Sequence, residues 1–260
     1  MAQKSSKALQ NPFKSLPQAE VFAQKTDKAL QTYPFLDISE HLNLKITPRA
    51  KRMALRVDTK ARQVNLVLPK RASMRSAYKF ALEHKYWIRE KIAEIPEAIR
   101  FKDGVTLPLL DKNTTIIVNY DKTLKRTSIK LINNELLVST NKEDPSSRIK
   151  RFIITLAKEH LSTLAHEKAA ISGKNIQKID VKDTSSRWGS CSQDGKLCFS
   201  WRLIFAPMHA FDYVVAHEVA HLTHMDHSPD FWNHCTDLSK DYSRGKTWMK
   251  RHSGELVRYG

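Results

Sequence analysis

The stretch HEVAHLTHMDHSPDFW, residues 217–232, holds four histidines within eleven positions and one glutamate among them. His217 and His221 are four positions apart, and Pro207 can begin a helix that contains both of them. On a helix this spacing stacks the two imidazoles on one face, so both can reach the same metal ion. Glu218 follows the first histidine, and its carboxylate can accept a proton from a water molecule at that ion. The pattern HExxH therefore predicts a hydrolytic metal site, and a solvated polar helix face is the alternative.

The third ligand must come from the residues that follow this pair. His224 continues the helical face, but ligands seven residues apart extend over about 10 Å of helix axis and converge poorly on one ion. His227 is the better candidate, because Asp226 and Pro229 indicate that the chain is turning there. His234 is the reserve candidate. Three imidazoles with one open position form the ligand set of a catalytic zinc ion.

The charge of the chain is distributed unevenly. The 260 residues include 44 Lys and Arg and 27 Asp and Glu, a formal net charge of +17. From Asp183 onward nine basic residues are balanced by nine acidic ones, so the whole excess lies in residues 1–182. Residues 45–71 alone contain nine Lys and Arg and one acidic residue, Asp58. Such a stretch is usually a solvated basic surface, and it is also typical of proteins that bind nucleic acid.

Periodicity along the chain predicts both strands and helices. Alternating apolar residues at 53–57 and 64–68 predict a β-hairpin with one basic face. Helical spacing follows from Ser73, a candidate N-cap, and ends at Pro96. The other predicted elements are strands at 115–118, 136–138, 179–181 and 197–204, a helix that follows Pro145 and has Gly173 as its C-cap, and a helix from Pro207 to about His224.

These elements predict an α+β protein in three parts. Residues 1–36, with scattered Lys, Ser, Gln and Pro, indicate a poorly ordered N-terminal extension. Residues 37–144 form a basic, β-rich N-terminal domain, and residues 145–260 form a C-terminal domain that carries the HExxH helix. We place the boundary between these two domains at Asp144-Pro145, where a polar turn precedes a helix.

The cysteine content and the lack of long apolar runs bear on the location of the protein. Its three cysteines, Cys191, Cys198 and Cys235, are too few and too irregularly spaced for a disulfide framework. No apolar run approaches the length of about 20 residues that spans a bilayer, and the N-terminus lacks the apolar segment of a signal peptide. We therefore expect a cytoplasmic protein with reduced thiols and no membrane partner.

Four motifs follow one another closely in the C-terminal half of the chain: RWGSC (187–191), WRLIFAP (201–207), DYVVAHEVAHL (212–222) and HSPDFW (227–232). Together they resemble the YgjP-type, SprT-like metal-dependent hydrolases, a branch of the zincin-like metallopeptidases. The basic hairpin at 47–58 and the segment KYWIREKI at 85–92 also resemble the N-terminal half of that family, so the similarity covers about residues 40–252. Ser200 departs from the Asn that is common in the family, and Val219 from the usual Leu.

The resemblance implies a zincin-like C-terminal domain with one catalytic zinc ion. It implies that His217, His221 and His227 hold the ion and that Glu218 is the general base. The expected reaction is attack of metal-activated water on a peptide bond of a peptide or protein substrate.

Two arginines near these motifs are candidates for contact with the substrate. Arg187 and Arg202 could stabilise negative charge that develops on the substrate, as oxyanion donors do. Equally, they could be structural and pair with Asp183 or Asp212.

Two other functions stay open at the level of sequence. The same metal site could hydrolyse the phosphoanhydride of a nucleotide, as a pyrophosphatase does, with basic residues neutralising the phosphates. The chain could also be a protease associated with DNA or RNA, in which Arg52 and Arg56 of the hairpin contact the phosphate backbone.

Overall fold

The computed structural model describes residues 33–59, 61–184 and 187–260. The protein mixes helices and sheets, with sheets prominent in the N-terminal half and helices in the C-terminal part, as the sequence predicts. The chain divides into two compact units between Ile95 and Pro96. The predicted extension at 1–36 lies outside the described residues except for its last four positions.

The first unit is built around a small sheet. Its central strand β3 runs parallel to β1 and antiparallel to β2, so the predicted hairpin is confirmed as β2 and β3. Phe35, within the predicted extension, is 1% exposed and packs in the core of this unit. The described elements of the unit are α1 (Phe35–Ile38), β1 (Leu42–Ile46), β2 (Ala54–Asp58), β3 (Gln63–Leu68), α2 (Met74–Glu83) and α3 (Lys85–Ala93).

The helical region of this unit differs from the prediction of one continuous helix. The N-cap is as predicted, since the Ser73 side chain accepts a hydrogen bond from the backbone N–H of Ser76. The helix is interrupted at His84, which has the non-helical angles φ −105° and ψ 15°. The Nδ1 atom of His84 lies 2.8 Å from the carbonyl oxygen of Phe80, so its side chain competes for the carbonyl of the preceding turn.

The second unit contains two sheets and the longest helix. The described elements are β4 (Thr106–Leu109), β5 (Lys112–Tyr120), β6 (Ser128–Ile132), β7 (Glu135–Thr140), α4 (Ser146–Ile171), β8 (Lys178–Lys182), β9 (Gly189–Cys191), β10 (Lys196–Ser200), α5 (Met208–Ala220), α6 (Pro229–Leu238) and α7 (Tyr242–His252), with 3₁₀ helices at Trp201–Phe205 and Ser253–Arg258. The first sheet has the strand order β4-β5-β7-β6, and the second has the order β8-β10-β9. Strand β9 is an edge strand of the second sheet, and it contacts α5.

The boundary predicted at Asp144-Pro145 falls inside this second unit. The structure divides earlier, because the apolar faces of β5 and β7 share one core with α4. Ile116 and Leu136 from the sheet and Ile149 from the helix are all fully buried in that core. A polar turn before a helix therefore marks a connection within the unit, and the four-stranded sheet belongs with the C-terminal helices.

Two elements near the histidine cluster are shorter than predicted. The strand that begins at Lys196 ends at Ser200, and the following residues form a 3₁₀ helix whose side chains are all buried. The apolar alternation continues into this 3₁₀ helix, but residues on every side of it are buried, so the alternation there does not mark a strand with one solvated face. The helix after Pro207 ends at Ala220, and His221 is its C-cap residue.

A buried ion pair ties α4 to α5. The Nζ atom of Lys168 lies 2.7 Å from Oδ1 of Asp212, and each side chain is only 4% exposed. Lys168 also donates to the carbonyl of Leu238, while Asp212 accepts from the backbone N–H of Lys240. These bonds hold the C-terminal end of α6 and the turn that follows it against α4 and α5.

We expect Lys168→Met to lower the free energy of unfolding of the second unit by about 3–5 kcal/mol, because it leaves the Asp212 carboxylate buried without its cation. Urea unfolding followed by tryptophan fluorescence measures the change. Lys158→Met on the exposed side of the same helix is the control, with an expected change within about 0.5 kcal/mol. Equal stability of the two variants would show that the pair is dispensable.

Within the described ranges, none of the helices combines the length and the apolar character that a bilayer-crossing segment needs. The three cysteines form no disulfide with one another.

Candidate active site

The last turn of α5 and the loop after it bring the three predicted histidine ligands together. His217 and Glu218 lie in the final turn of the helix, and His221 keeps helical angles of φ −65° and ψ −17° at the C-cap. His221 therefore stays on the same face as His217, one turn further on. His227 comes from the loop between α5 and α6, as the turn residues around it predict.

Hydrogen bonds at the start of α6 fold the loop back toward α5. Asp226 accepts a hydrogen bond from the backbone N–H of Ser228. The Ser228 side chain in turn caps α6, accepting from the N–H of Phe231, and Pro229 occupies the first turn, where no N–H is needed. Asp226 thus shapes the loop that positions His227.

The three imidazoles are close enough to share one ion. One nitrogen from each of His217, His221 and His227 lies within 4.8 Å of the other two. The Nε2 atoms of His217 and His227 are 3.3 Å apart. Tetrahedral zinc with bonds of about 2.0–2.1 Å separates two ligand nitrogens by about 3.3 Å. The nitrogens of His217 and His227 have the spacing of two zinc ligands, and His221 lies close enough to join them after a small adjustment. The role of all three as ligands stays a prediction.

A hydrogen bond orients one of these rings. The Nδ1 atom of His221 lies 2.9 Å from the carbonyl oxygen of His224, which can accept its proton. This leaves the Nε2 lone pair of His221 for an ion, the usual way in which an outer partner selects the tautomer of a metal-binding histidine. The backbone of His224 therefore contributes to the site, although its ring does not.

Two aromatic side chains of α6 pack against the three histidine rings. Phe231 is fully buried, and its ring centroid lies 5.0 Å from that of His217, 4.4 Å from His221 and 4.7 Å from His227. Trp232 adds contacts to His217 and His227. The buried Nδ1 of His217 has no hydrogen-bond partner among the described residues, so packing holds this ring.

Burial also keeps the histidines in the form that binds metals. Burial, together with the smaller effect of His221, His227 and Lys246 nearby, lowers the pKa of His217 to about 4. The pKa of His221 is lowered as well, mainly by burial. Both imidazoles are thus neutral at pH 7 with a lone pair available for a cation.

Glu218 lies in a nearly dry position under strand β9. Glu218 is only 6% exposed. Burial raises the pKa of its carboxyl group to about 8, although the positive charge of Arg187 favours a lower value. A Cβ atom added at Gly189 of β9 would lie 2.5 Å from both Cγ and Oε1 of Glu218. The backbone of β9 therefore packs directly on this carboxylate. A divalent cation nearby would favour the ionised form.

A cleft of about 320 Å³ opens beside this carboxylate. Apart from His217 and Glu218, its walls are mostly apolar, and of the described residues that line it Arg187 is the one with a Lys or Arg side chain. The other lining residues are Trp188, Gly189, Tyr213, Val214 and Met249. The cleft suits a substrate that is largely apolar and carries few negative charges.

The two candidate arginines have different surroundings. Arg187 is exposed and lines the cleft. Arg202 is 2% exposed, pairs with Asp183, and donates to the carbonyl of Tyr259. Its Nε and Nη1 donors are directed to these partners and it does not line the cleft, which favours the structural alternative. A contact of Arg202 with the substrate stays an untested prediction. Asp212, the other predicted partner, pairs with Lys168.

The remaining histidines of the segment are directed elsewhere. The rings of His224 and His234 lie beside each other, with centroids 5.8 Å apart. The Nε2 of His234 is 3.0 Å from the hydroxyl of Ser172 on α4. The reserve ligand of the sequence analysis is therefore engaged outside the cluster.

Sequence reasoning missed two residues that shape the site, Gly189 and Phe231. Both lie within motifs noticed for their resemblance, yet neither has a functional group that would have indicated a role. The signal for Gly189 is a glycine inside a short strand, which often marks a close approach of another group. Its partner, Glu218, is 29 residues away, so only the folded structure identifies it.

Comparison with known proteins gives one match. A family model described as YgjP-like, metallopeptidase domain, matches residues 51–252, which is more than three quarters of the chain. No curated protein and no solved structure matches the chain significantly.

Proposed function

This chain belongs to the YgjP-like metallopeptidase family, and on that premise we propose that it is a zinc-dependent hydrolase of peptide bonds. Family membership makes the chain a metallopeptidase-type hydrolase that uses a metal ion and acts on a peptide or protein. One observation carries the finer assignment. Nitrogens of His217, His221 and His227 lie within 4.8 Å of one another, beside the buried carboxylate of Glu218.

We assign these three histidines as the ligands of a single zinc ion. The donors are imidazole nitrogens, which suit zinc, and three protein ligands leave one position for water or substrate, as in catalytic sites. We also assign the C-terminal part to the zincin-like class, because an HExxH helix is followed by a loop that returns a third histidine. The outer contacts from the His224 carbonyl and Phe231 support this ligand set by fixing the rings.

In the proposed reaction the protein transfers one proton in two steps. When bound, the zinc ion supplies Lewis acidity that polarises the substrate carbonyl and acidifies a water molecule. Glu218 accepts a proton from the attacking water and then delivers it to the nitrogen of the leaving amine. Packing of β9 over Glu218 limits the orientations of its carboxylate, which keeps the base near the reacting water. Arg187 stabilises negative charge on the substrate from the wall of the cleft.

The cleft favours a peptide over a nucleotide as substrate. A nucleoside triphosphate carries several negative charges, which proteins usually neutralise with more than one basic side chain. Within the described part of the chain, Arg187 is the one Lys or Arg side chain that lines this cleft. The family match also gives no support to a nucleotide or nucleic-acid partner.

We expect the zinc-loaded full-length chain to cleave casein, an unstructured protein, and to release no phosphate from nucleoside triphosphates. Mass spectrometry of the casein fragments and a phosphate assay under the same conditions measure the two activities. Chelation should abolish casein cleavage, and added zinc should restore it. Zinc-dependent phosphate release without casein cleavage would replace the peptidase assignment with the phosphoanhydride reaction.

We expect Gly189→Ala to lower the rate of peptide hydrolysis by about 100-fold, because the new methyl group displaces the Glu218 carboxylate by about 1 Å. Zinc content should stay unchanged, since the three atoms nearest to the added Cβ all belong to Glu218, which is not a ligand. Gly254→Ala is the matched control, because a Cβ there meets no atom within 4 Å. A Gly189→Ala protein as active as the control would mean that β9 does not position the base.

A further inference from the structure

A second cleft, with a volume of about 440 Å³, lies between strand β6 and the N-terminal half of α4. Three arginines line it: Arg126 from the segment before β6, and Arg148 and Arg151 from the helix. Phe152 and Ile129 add apolar surface to its walls. It shares no residue with the lining of the candidate active site.

Among the residues that the structure describes, the arginines of this cleft have no acidic partner. No acidic side chain lines it, and none of its three arginines forms an ion pair with a carboxylate within the part of the chain that the structure describes. Positive charges grouped in one concavity repel one another, and a cleft concentrates their field. The arrangement is therefore most favourable when an anion lies among them.

Arg148 is held in place before any ligand arrives. Its Nη1 donates to the hydroxyl of Thr127, whose oxygen lies 2.7 Å from the hydroxyl of Thr140. Thr140 is fully buried at the end of strand β7. A guanidinium has five N–H donors, so the bond to Thr127 leaves others that can reach a ligand. A pre-positioned arginine loses little side-chain entropy on binding.

We propose that this three-arginine cleft binds a phosphate group. Guanidinium groups present pairs of N–H donors that match the oxygens of phosphate, and several of them together suit a doubly charged anion. The volume of the cleft exceeds that of a bare phosphate and lies in the range of small-molecule sites. The apolar surface of Phe152 and Ile129 would contact the organic part that carries the phosphate.

The test measures binding of two probes to the full-length chain at low ionic strength. Inorganic phosphate represents a small phosphorylated ligand, and a short single-stranded DNA oligonucleotide represents a nucleic-acid backbone. Isothermal titration calorimetry gives the affinity for each probe with the wild type, Arg126→Gln and Arg151→Gln. Both side chains are exposed, so the variants should fold normally, which their melting temperatures check. Arg75→Gln, which removes the same charge from an exposed helix position in the first unit, is the matched control.

We expect Arg126→Gln and Arg151→Gln each to weaken binding of a probe about tenfold, the effect of losing one charged hydrogen bond, while Arg75→Gln leaves it unchanged. This pattern with phosphate alone identifies a small phosphorylated ligand. The same pattern with tighter binding of the oligonucleotide identifies a nucleic-acid backbone. Absence of binding for both probes, or equal weakening by all three substitutions, would overturn the phosphate site.

Discussion

Replacing Glu218 with glutamine is expected to abolish hydrolysis while leaving zinc bound. Glutamine has nearly the same shape, so it fits under β9, but its amide cannot accept a proton from water. Loss of general base catalysis should lower the rate by at least about 10²–10⁴-fold. Because none of the three histidine nitrogens is altered, zinc content per chain should equal that of the wild type. A rate assay on casein fragments and metal analysis of the same sample measure both properties.

The chain supplies a matched control for this variant. His166-Glu167 begins the same motif on α4, but position 170 is alanine, so it lacks the second histidine. Glu167 is exposed and lies far along the sequence from the cluster. Glu167→Gln should have wild-type activity and zinc content. Hydrolysis that survives Glu218→Gln at more than a tenth of the wild-type rate would remove Glu218 from the role of base.

The second large effect is expected from His227→Ala, which removes the ligand that comes from the loop. Loss of an outer partner of a zinc ligand weakens metal binding by about 10–100-fold, so loss of the ligand itself should exceed about 100-fold. The variant should therefore be purified without zinc and should show no hydrolysis. Inductively coupled plasma mass spectrometry, together with competition against a chelator of known affinity, measures the change.

His224→Ala is the control for the loop. It removes an imidazole three positions away but keeps the backbone carbonyl that accepts from His221. This variant should retain zinc and activity. If His224→Ala loses zinc and His227→Ala keeps it, the assignment of His227 as the ligand from the loop is wrong.

The convergence of the three histidine side chains could be predicted from sequence, because it depends on contacts between residues that are close together in the chain. Two imidazoles four residues apart share a helix face under any packing, and a proline with a polar turn brings the third back within ten residues. The structure agrees on the convergence of His217, His221 and His227. Local patterns also sufficed for the β2–β3 hairpin and for the Ser73 cap.

Features that depend on distant contacts could not be predicted in this way. Arg202 was open to two interpretations, and its burial depends on contacts with Asp183, 19 positions away, and with the Tyr259 carbonyl, 57 positions away. The division at Ile95 and Pro96 follows from which core the strands join, and a polar turn at Asp144-Pro145 carries no information about that. The interruption at His84 depends on one side chain bonding to the backbone, which apolar spacing does not reveal.

The most direct test of the zinc site is anomalous diffraction at the zinc absorption edge from crystals of the full-length chain loaded with zinc. We predict one strong peak that lies about 2.0–2.1 Å from one nitrogen of each of His217, His221 and His227. The Glu218 carboxylate should lie near the open coordination position without binding the ion. A peak bound by other residues, or a His227 ring turned away from an ion held by the other two, would contradict the account.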